Sequence, residues 1–234
     1  VGEYASHGRT HREISTFLAA RRTAEARFAD AVFAPSDTVA EGLQRTGIAA
    51  DKIYLVPFTS PHCQVLLDRK RFARDDTVIR LLYVGNLSLA QGTALIGAAQ
   101  PCAKGLLSNL PDGVKWFGPL PHDQVAYHML SSDVFVFPSL TEGSSLATME
   151  AMAAGCAVIT TFDAGSPVIN HQSGLIIPPR DSDALVTAAS ALIIQPEMRR
   201  TIAQKARDQI ARDLRNTYGT RVDHAYETIL SRHG

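Results

Sequence analysis

The sequence predicts an α/β fold built on parallel sheets, and three observations carry that expectation. Asp133 to Thr161 reads as one strand–loop–helix–strand unit: an apolar run (Asp133–Phe137), a polar loop (Pro138–Gly143), a helix-forming stretch (Leu146–Ala154), a glycine stop (Gly155) and a second apolar run (Cys156–Thr161). The same order occurs earlier, with Ala31–Ala34, a helix opening near Ser36, and Ile53–Val56. The strand runs are continuously apolar and rich in Val, Ile and Phe rather than alternating, which is the pattern of strands covered on both faces.

Taken in order, Thr10 to Ala29 reads as a helix with Ile14, Phe17, Leu18 and Phe28 on one side and Arg21, Arg22 and Arg27 solvated. Pro35-Ser36 turns the chain into a second helix, capped by Ser36, with Val39 and Leu43 inward and Gly47 at its end. Pro57 to Thr77, rich in Pro, Arg, Asp and Lys, reads as a linker. Ile79–Val84 opens the next sheet, Val114–Phe117 is a strand and Pro121–Ser131 a helix. Leu146–Ala154 is apolar almost all round, the mark of a buried helix. Gly174–Ile177 is the last strand, closed by Pro178-Pro179. Asp181 caps a helix that places Leu185, Ala188, Ala189 and Leu192 at helical spacing, and Pro196 opens the next one in its first turn. Tyr218–Leu230 is the final helix.

Composition narrows the class. The chain has 234 residues, 45% of them hydrophobic, enough for an ample core. Its 23 basic and 23 acidic residues balance, which argues against a protein held to nucleic acid by phosphate contacts. No apolar run is long enough to span a bilayer and no signal-peptide pattern opens the chain. Cys63, Cys102 and Cys156 are odd in number and widely spaced, which fits a reducing cytoplasm. His7 and His11 sit four apart without a third ligand, and His122, His128 and His171 read as surface histidines, so no metal site is expected.

The chemistry concentrates in the loop of the Asp133–Thr161 unit. Glu142 lies past the carboxyl end of a parallel strand, where open α/β sheets bind ligands. Gly143 lets another molecule approach the backbone closely. Ser144 and Ser145 stand at a helix start, where free N–H groups and the helix dipole favour an anion such as a diphosphate. Glu150 follows more than a turn along the helix. A ligand with a sugar at one end, phosphates between and a ribose at the other would reach all three.

The string E-G-S-S-L-A-T-M-E-A-M-A-A-G-C-A-V-I-T-T resembles the donor-binding signature of retaining glycosyltransferases with two Rossmann-like domains (GT-B type, family 4, glycosyl transferases group 1). Ser144-Ser145 replaces a frequent Phe-Gly, and Ala157 a frequent Pro. The resemblance runs with interruptions from Phe28 to Leu230. It implies a partial N-terminal, acceptor-side Rossmann-like domain with linker over residues 1–70, a C-terminal nucleotide-sugar-binding domain over 71–214, and a C-terminal helix over 215–234 crossing back to the first domain. It also implies an enzyme that moves a sugar from a nucleotide-diphosphate sugar to an acceptor hydroxyl with retention. Glu142 would contact the donor sugar and stabilise charge at its ring. Glu150 would accept from the ribose hydroxyls, and the amides of Ser144, Ser145 and Leu146, beside Gly143, would hold sugar and phosphates. Gly165 and Ser166 are further candidates for the same site. Such proteins generally use helix dipole and basic side chains rather than a metal or cofactor. The acceptor (a sugar, a lipid-linked species or a small molecule) is not named by the resemblance. A cytoplasmic location follows, with room for peripheral association at the inner membrane face.

Two regions depart from the pattern. The chain starts within the acceptor-side domain, so truncation at the N-terminus is expected, and a non-catalytic nucleotide-sugar-binding module is the alternative function. After Gly85, where relatives carry an Arg and a Lys for the donor diphosphate, the aligned residues are Asn86 and Gln91, both uncharged. Either Thr93–Gln100 holds the next strand and a helix is deleted, or it is the helix and the strand is lost. Loss of a desolvated ion pair to phosphate costs ~2–5 kcal/mol. Donor affinity is therefore expected in the millimolar range, and a dissociation constant tighter than ~10 μM, measured by calorimetric titration, would contradict this.

Overall fold

The computed structural model describes residues 16–72, 78–85 and 112–233. Two parallel sheets organise them. The first pairs β1 (Val32–Ala34) with β2 (Ile53–Leu55). The second has the order β3 (Leu81–Leu82), β4 (Val134–Phe137), β5 (Ala157–Thr161), β6 (Leu175–Ile177), all parallel. The helices are α1 (Thr16–Phe28), α2 (Asp37–Arg45), α3 (Cys63–Asp68), α4 (His122–Ser131), α5 (Leu146–Ala153), α6 (Ser182–Ile194), α7 (Pro196–Asp213) and α8 (Tyr218–His233).

The second sheet is covered on both faces, as the unbroken apolar strands require. Alternate residues of β4 go opposite ways. Phe135 and Phe137 join a cluster with α3, α4, α5 and α7, while Val134 and Val136 join one with Leu185, Ala188 and Leu192 of α6. Helix starts follow local chemistry. Ser36, Ser145 and Asp181 each accept from the amide three residues on. Pro196 opens α7. Gly155, at φ +78°, ends α5 in the left-handed region.

Four expectations change. Phe28 does not face inward; it is 88% exposed at the end of α1. The strand expected over Ile79–Val84 is reduced to two residues. Val114–Phe117 forms no strand: Gly113 and Gly118 at positive φ bracket it, and Val114, Trp116 and Phe117 are exposed. The Pro57–Thr77 stretch is more than a linker, because it contains α3, whose Cys63 and Leu66 are fully buried against the α5–α7 layer. Thr10–Ser15 of the first expected helix, together with His7, Asn86, Gln91, Thr93–Gln100 and Cys102, lies outside the described residues.

Helix α8 lies against the first sheet. Tyr226 packs edge-on to Phe33 with ring centroids 5.4 Å apart, and Arg232 donates to Tyr54 Oη at 3.1 Å and to Asp51 O at 3.2 Å. Among the described residues no helix is long and apolar enough to cross a membrane.

Two arginines hold the carboxyl end of α5. Arg207 of α7 donates to Ala153 O at 2.7 Å and to the carbonyls of Leu67 and Arg69. Arg71 donates to Ala154 O at 3.0 Å and also to Gly155 O and Ser132 O. Burial and then the neighbouring Arg71 charge hold the Arg207 pKa below its ordinary value. The carbonyl end of a helix favours cations, and these groups also satisfy oxygens that the helix leaves unpaired. Arg207→Ala should therefore lower unfolding free energy by roughly 1–3 kcal/mol, the usual penalty for orphaned buried acceptors. Urea titration reads this as an earlier midpoint at unchanged slope.

Candidate functional site

The loop after β4 is fixed from below by the loop after β5. Glu142 N donates to Asp163 O at 2.9 Å, and Ser145 N approaches Gly165 O at 3.4 Å. Gly165 (φ +56°) permits this packing, since a Cβ there would lie 2.7 Å from Gly143 O and 2.9 Å from Glu142 O. Both contacts are with backbone, so no side chain fits. Gln209 of α7 holds the same loop through Pro167 O at 2.6 Å. The first sheet's unit also reaches the site: Ser36 Oγ donates to Gly143 O at 2.7 Å and Thr38 Oγ1 to Phe162 O at 2.9 Å.

Glu142 is half-buried, and desolvation holds its pKa above the ordinary carboxylate value. It faces Tyr83, whose phenol is pushed up by burial first and by the Glu142 charge second. Tyr83 follows β3 and stacks near Phe137 of β4, with centroids 6.0 Å apart. Gly85 is exposed two residues further on.

Glu150 is 7% exposed on α5 and looks elsewhere. Its Oε1 accepts from Ser60 Oγ at 2.5 Å, and its Oε2 lies 3.5 Å from Nε2 of His122, the first residue of α4. His62 stacks on His122 with ring centroids 3.4 Å apart. Cys63, beside them, is pushed up to about 12 by burial and then by the Glu150 charge. It is a protonated, inert thiol at neutral pH.

Helix α5 presents its tip between these acids. Ser145 is engaged within the fold: its hydroxyl caps Thr148 N at 3.2 Å, its side chain is buried and its amide faces Gly165 O. Leu146 stands at the first turn and is 39% exposed. Helix geometry leaves its N–H without an intrahelical acceptor. Ser144 Oγ is buried without a hydrogen-bond partner among the described residues. Gly143 is exposed. A cleft of ≈ 230 Å³ runs between the two sheets' units, lined by Ser36, Thr38, Met149, Phe162, Gly165 and Ser166 among others, but by neither acid. The two carboxylates flank the α5 tip and address different neighbours. The reason is local. Glu142 rides on a loop directed to β3, whereas Glu150 sits on the helix side facing α4 and the segment before α3.

Ser60, His62 and the role of His122 were not legible from the sequence. Ser60 and Glu150 are 90 positions apart, and no spacing motif joins the three to that carboxylate.

Residues 103–209, which include both acids and the α5 tip, match one family model. It is the model for glycosyl transferases group 1. The fold is the GT-B glycosyltransferase type. The chain is 38% identical over 85 residues to the amylovoran biosynthesis glycosyltransferase AmsK of Erwinia amylovora, covering 33% of this chain and 21% of that one. It is 25% identical over 177 residues to a D-inositol 3-phosphate glycosyltransferase of Saccharomonospora viridis, covering 71% of this chain and 40% of the relative. The chain thus spans less than half the length of these relatives. Among solved structures, sucrose-phosphate synthase from Thermosynechococcus elongatus superposes with a TM-score of 0.71 at 21% identity, over 97% of this chain and 65% of that one. Anabaena HepE in complex with UDP and glucose gives 0.69 at 18% identity, over 93% and 68%.

The raised Glu142 pKa has a consequence for stability. A carboxyl whose folded pKa exceeds its unfolded value favours folding most below the unfolded pKa, and that advantage is lost as pH rises through the folded pKa. Above the ordinary carboxylate range the partly desolvated Glu142 is therefore a burden on the fold. Glu142→Gln should raise the thermal midpoint at pH 7, and the gain should shrink as the pH falls below the ordinary carboxylate range; differential scanning calorimetry across pH checks this.

Proposed function

We propose that the chain is the donor-binding part of a retaining glycosyltransferase that transfers a sugar from a nucleotide-diphosphate sugar to an acceptor hydroxyl. The observation that carries this reading is Glu142: a carboxylate held partly desolvated past the carboxyl end of β4, beside the free tip of α5, within the matched family region. Perturbed acids at such positions are candidates for chemistry. In this reading Glu142 contacts the donor sugar and stabilises positive charge growing at its ring as the bond to phosphate breaks. Gly143, Ser144 and the Leu146 amide meet the sugar and phosphates. The orphaned Ser144 hydroxyl supports this, because a buried polar group without a partner is one a ligand would satisfy. Glu150 retains lone pairs beyond its bond from Ser60 and accepts from the ribose hydroxyls. Gly85, Asn86 and Gln91 border the diphosphate. The helix tip takes the place of a metal or cofactor on the leaving diphosphate.

HepE, solved with UDP and glucose, supports the choice of donor class, and the transferases AmsK and D-inositol 3-phosphate glycosyltransferase support the reaction class. A cytoplasmic site of action belongs to the same reading. A second reading, a nucleotide-sugar-binding module without turnover, is favoured by one specific observation of the sequence: Asn86 and Gln91 are uncharged, where the resemblance implies an Arg and a Lys for the donor diphosphate.

UDP- and GDP-hexoses should raise the thermal unfolding midpoint by mass action, with a gain of about 2.7 kcal/mol at a hundredfold excess over Kd. Glu150→Gln should cut that shift. Glu142→Gln should keep it while abolishing release of free nucleoside diphosphate in the presence of an acceptor. A shift unchanged in Glu150→Gln refutes the ribose contact, and no shift with any nucleotide sugar refutes donor binding. Binding without turnover in the unaltered chain selects the second reading.

A further inference from the structure

We propose that His62, His122 and Glu150 form a binding site for a divalent transition metal of the zinc class. One ligand atom from each lies within 4.8 Å of the other two. The three come from separate segments: the turn before α3, the first residue of α4 and the middle of α5. Their donor set is two imidazoles and one carboxylate. Imidazole selects zinc and its neighbours over magnesium or calcium, which prefer oxygen alone.

The geometry suits such an ion. With metal–ligand bonds near 2.0–2.1 Å, ligands at tetrahedral angles sit roughly 3.3 Å apart. His122 Nε2 and Glu150 Oε2 are 3.5 Å apart, close to that edge. The rings stack, 3.4 Å between centroids and 26° from parallel, which brings the two imidazoles together, and one ring must turn about its side-chain torsions for both nitrogens to address one ion. Glu150 is almost wholly buried and its other oxygen accepts from Ser60 Oγ, itself 1% exposed. That bond fixes the carboxylate and directs Oε2 at the imidazoles, as outer hydrogen bonds commonly do for metal ligands. The His122 side chain is 45% exposed, so an ion has a way in. Three protein ligands leave a fourth position for water or an exogenous group. The ion would join α4, α5 and the pre-α3 segment at one point. Glu150 also serves the donor reading, but ion binding does not require that reading to hold.

The test uses zinc chloride alone, with no nucleotide sugar present. Calorimetric titration of the metal-stripped chain should show one zinc taken up per chain. Cobalt should replace it with a visible absorption band, and magnesium should not compete. Ser60→Ala should weaken zinc about 10–100-fold. His62→Ala and His122→Ala should each abolish the one-to-one uptake and the cobalt band while cooperative unfolding persists. Uptake unchanged in the double His62→Ala/His122→Ala variant, or no saturable uptake by the unaltered chain, overturns the site. Should a variant fail to fold, zinc-edge X-ray absorption on the unaltered chain still decides: two imidazoles with oxygen support the site, and a sulfur or all-oxygen shell overturns it. Zinc and nucleotide sugar are read in separate titrations, so failure of one leaves the other standing.

Discussion

Helix α5 is anchored at its carbonyl end by two arginines and carries, among the described residues, only the Ser145 cap at its amide end, and the candidate site is built on that contrast. Arg71 and Arg207 reach it from different parts of the chain and occupy carbonyls at Ala153, Ala154 and Gly155. The same two side chains reach Ser132 and the end of α3, so the helix is registered against β4's entrance and the preceding segment at once. Its body is buried among β4, β5, α3 and α7. With the far end and the sides fixed, the amide end can face a ligand without the helix shifting.

The two acids show how one short segment can present unlike carboxylates. Burial of Glu142 is offset by no cation among the described residues, and its pKa rises. Glu150 is more deeply placed yet has a hydroxyl on one oxygen and an imidazole nitrogen near the other. Their different surroundings follow from backbone geometry, loop against helix, more than from their spacing in the chain.

The parts of the fold legible in the sequence are those in which the cause is local. β4 and β5 are apolar runs bounded by Pro138 and Gly155, and both appear where the pattern puts them. The caps at Ser36 and Asp181 are side chains bonding the amides three residues away, so they too could be read directly. What escaped has a distant cause. Helix α3 is only six residues long in a charged stretch, and it is stabilised by burying Cys63 and Leu66 against helices much further along the chain. Val114–Phe117 has strand-like composition, but two positive-φ glycines bound it and its large side chains remain in solvent. In the site, the motif around Glu142 and Glu150 was visible because it is contiguous. The company Glu150 keeps was not, since Ser60, His62 and His122 meet it only through tertiary packing.

The bonds from Ser36 to Gly143 and from Thr38 to Phe162 tether the first sheet's unit to the loops beneath Glu142. Each is a single hydroxyl-to-carbonyl bond, worth about 1 kcal/mol net. Rocking the two halves apart would break both at small energetic expense. It would also release the carbonyl of the residue next to Glu142, so a hinge movement of the whole protein would register, within one peptide unit, at the acid proposed to meet the donor sugar.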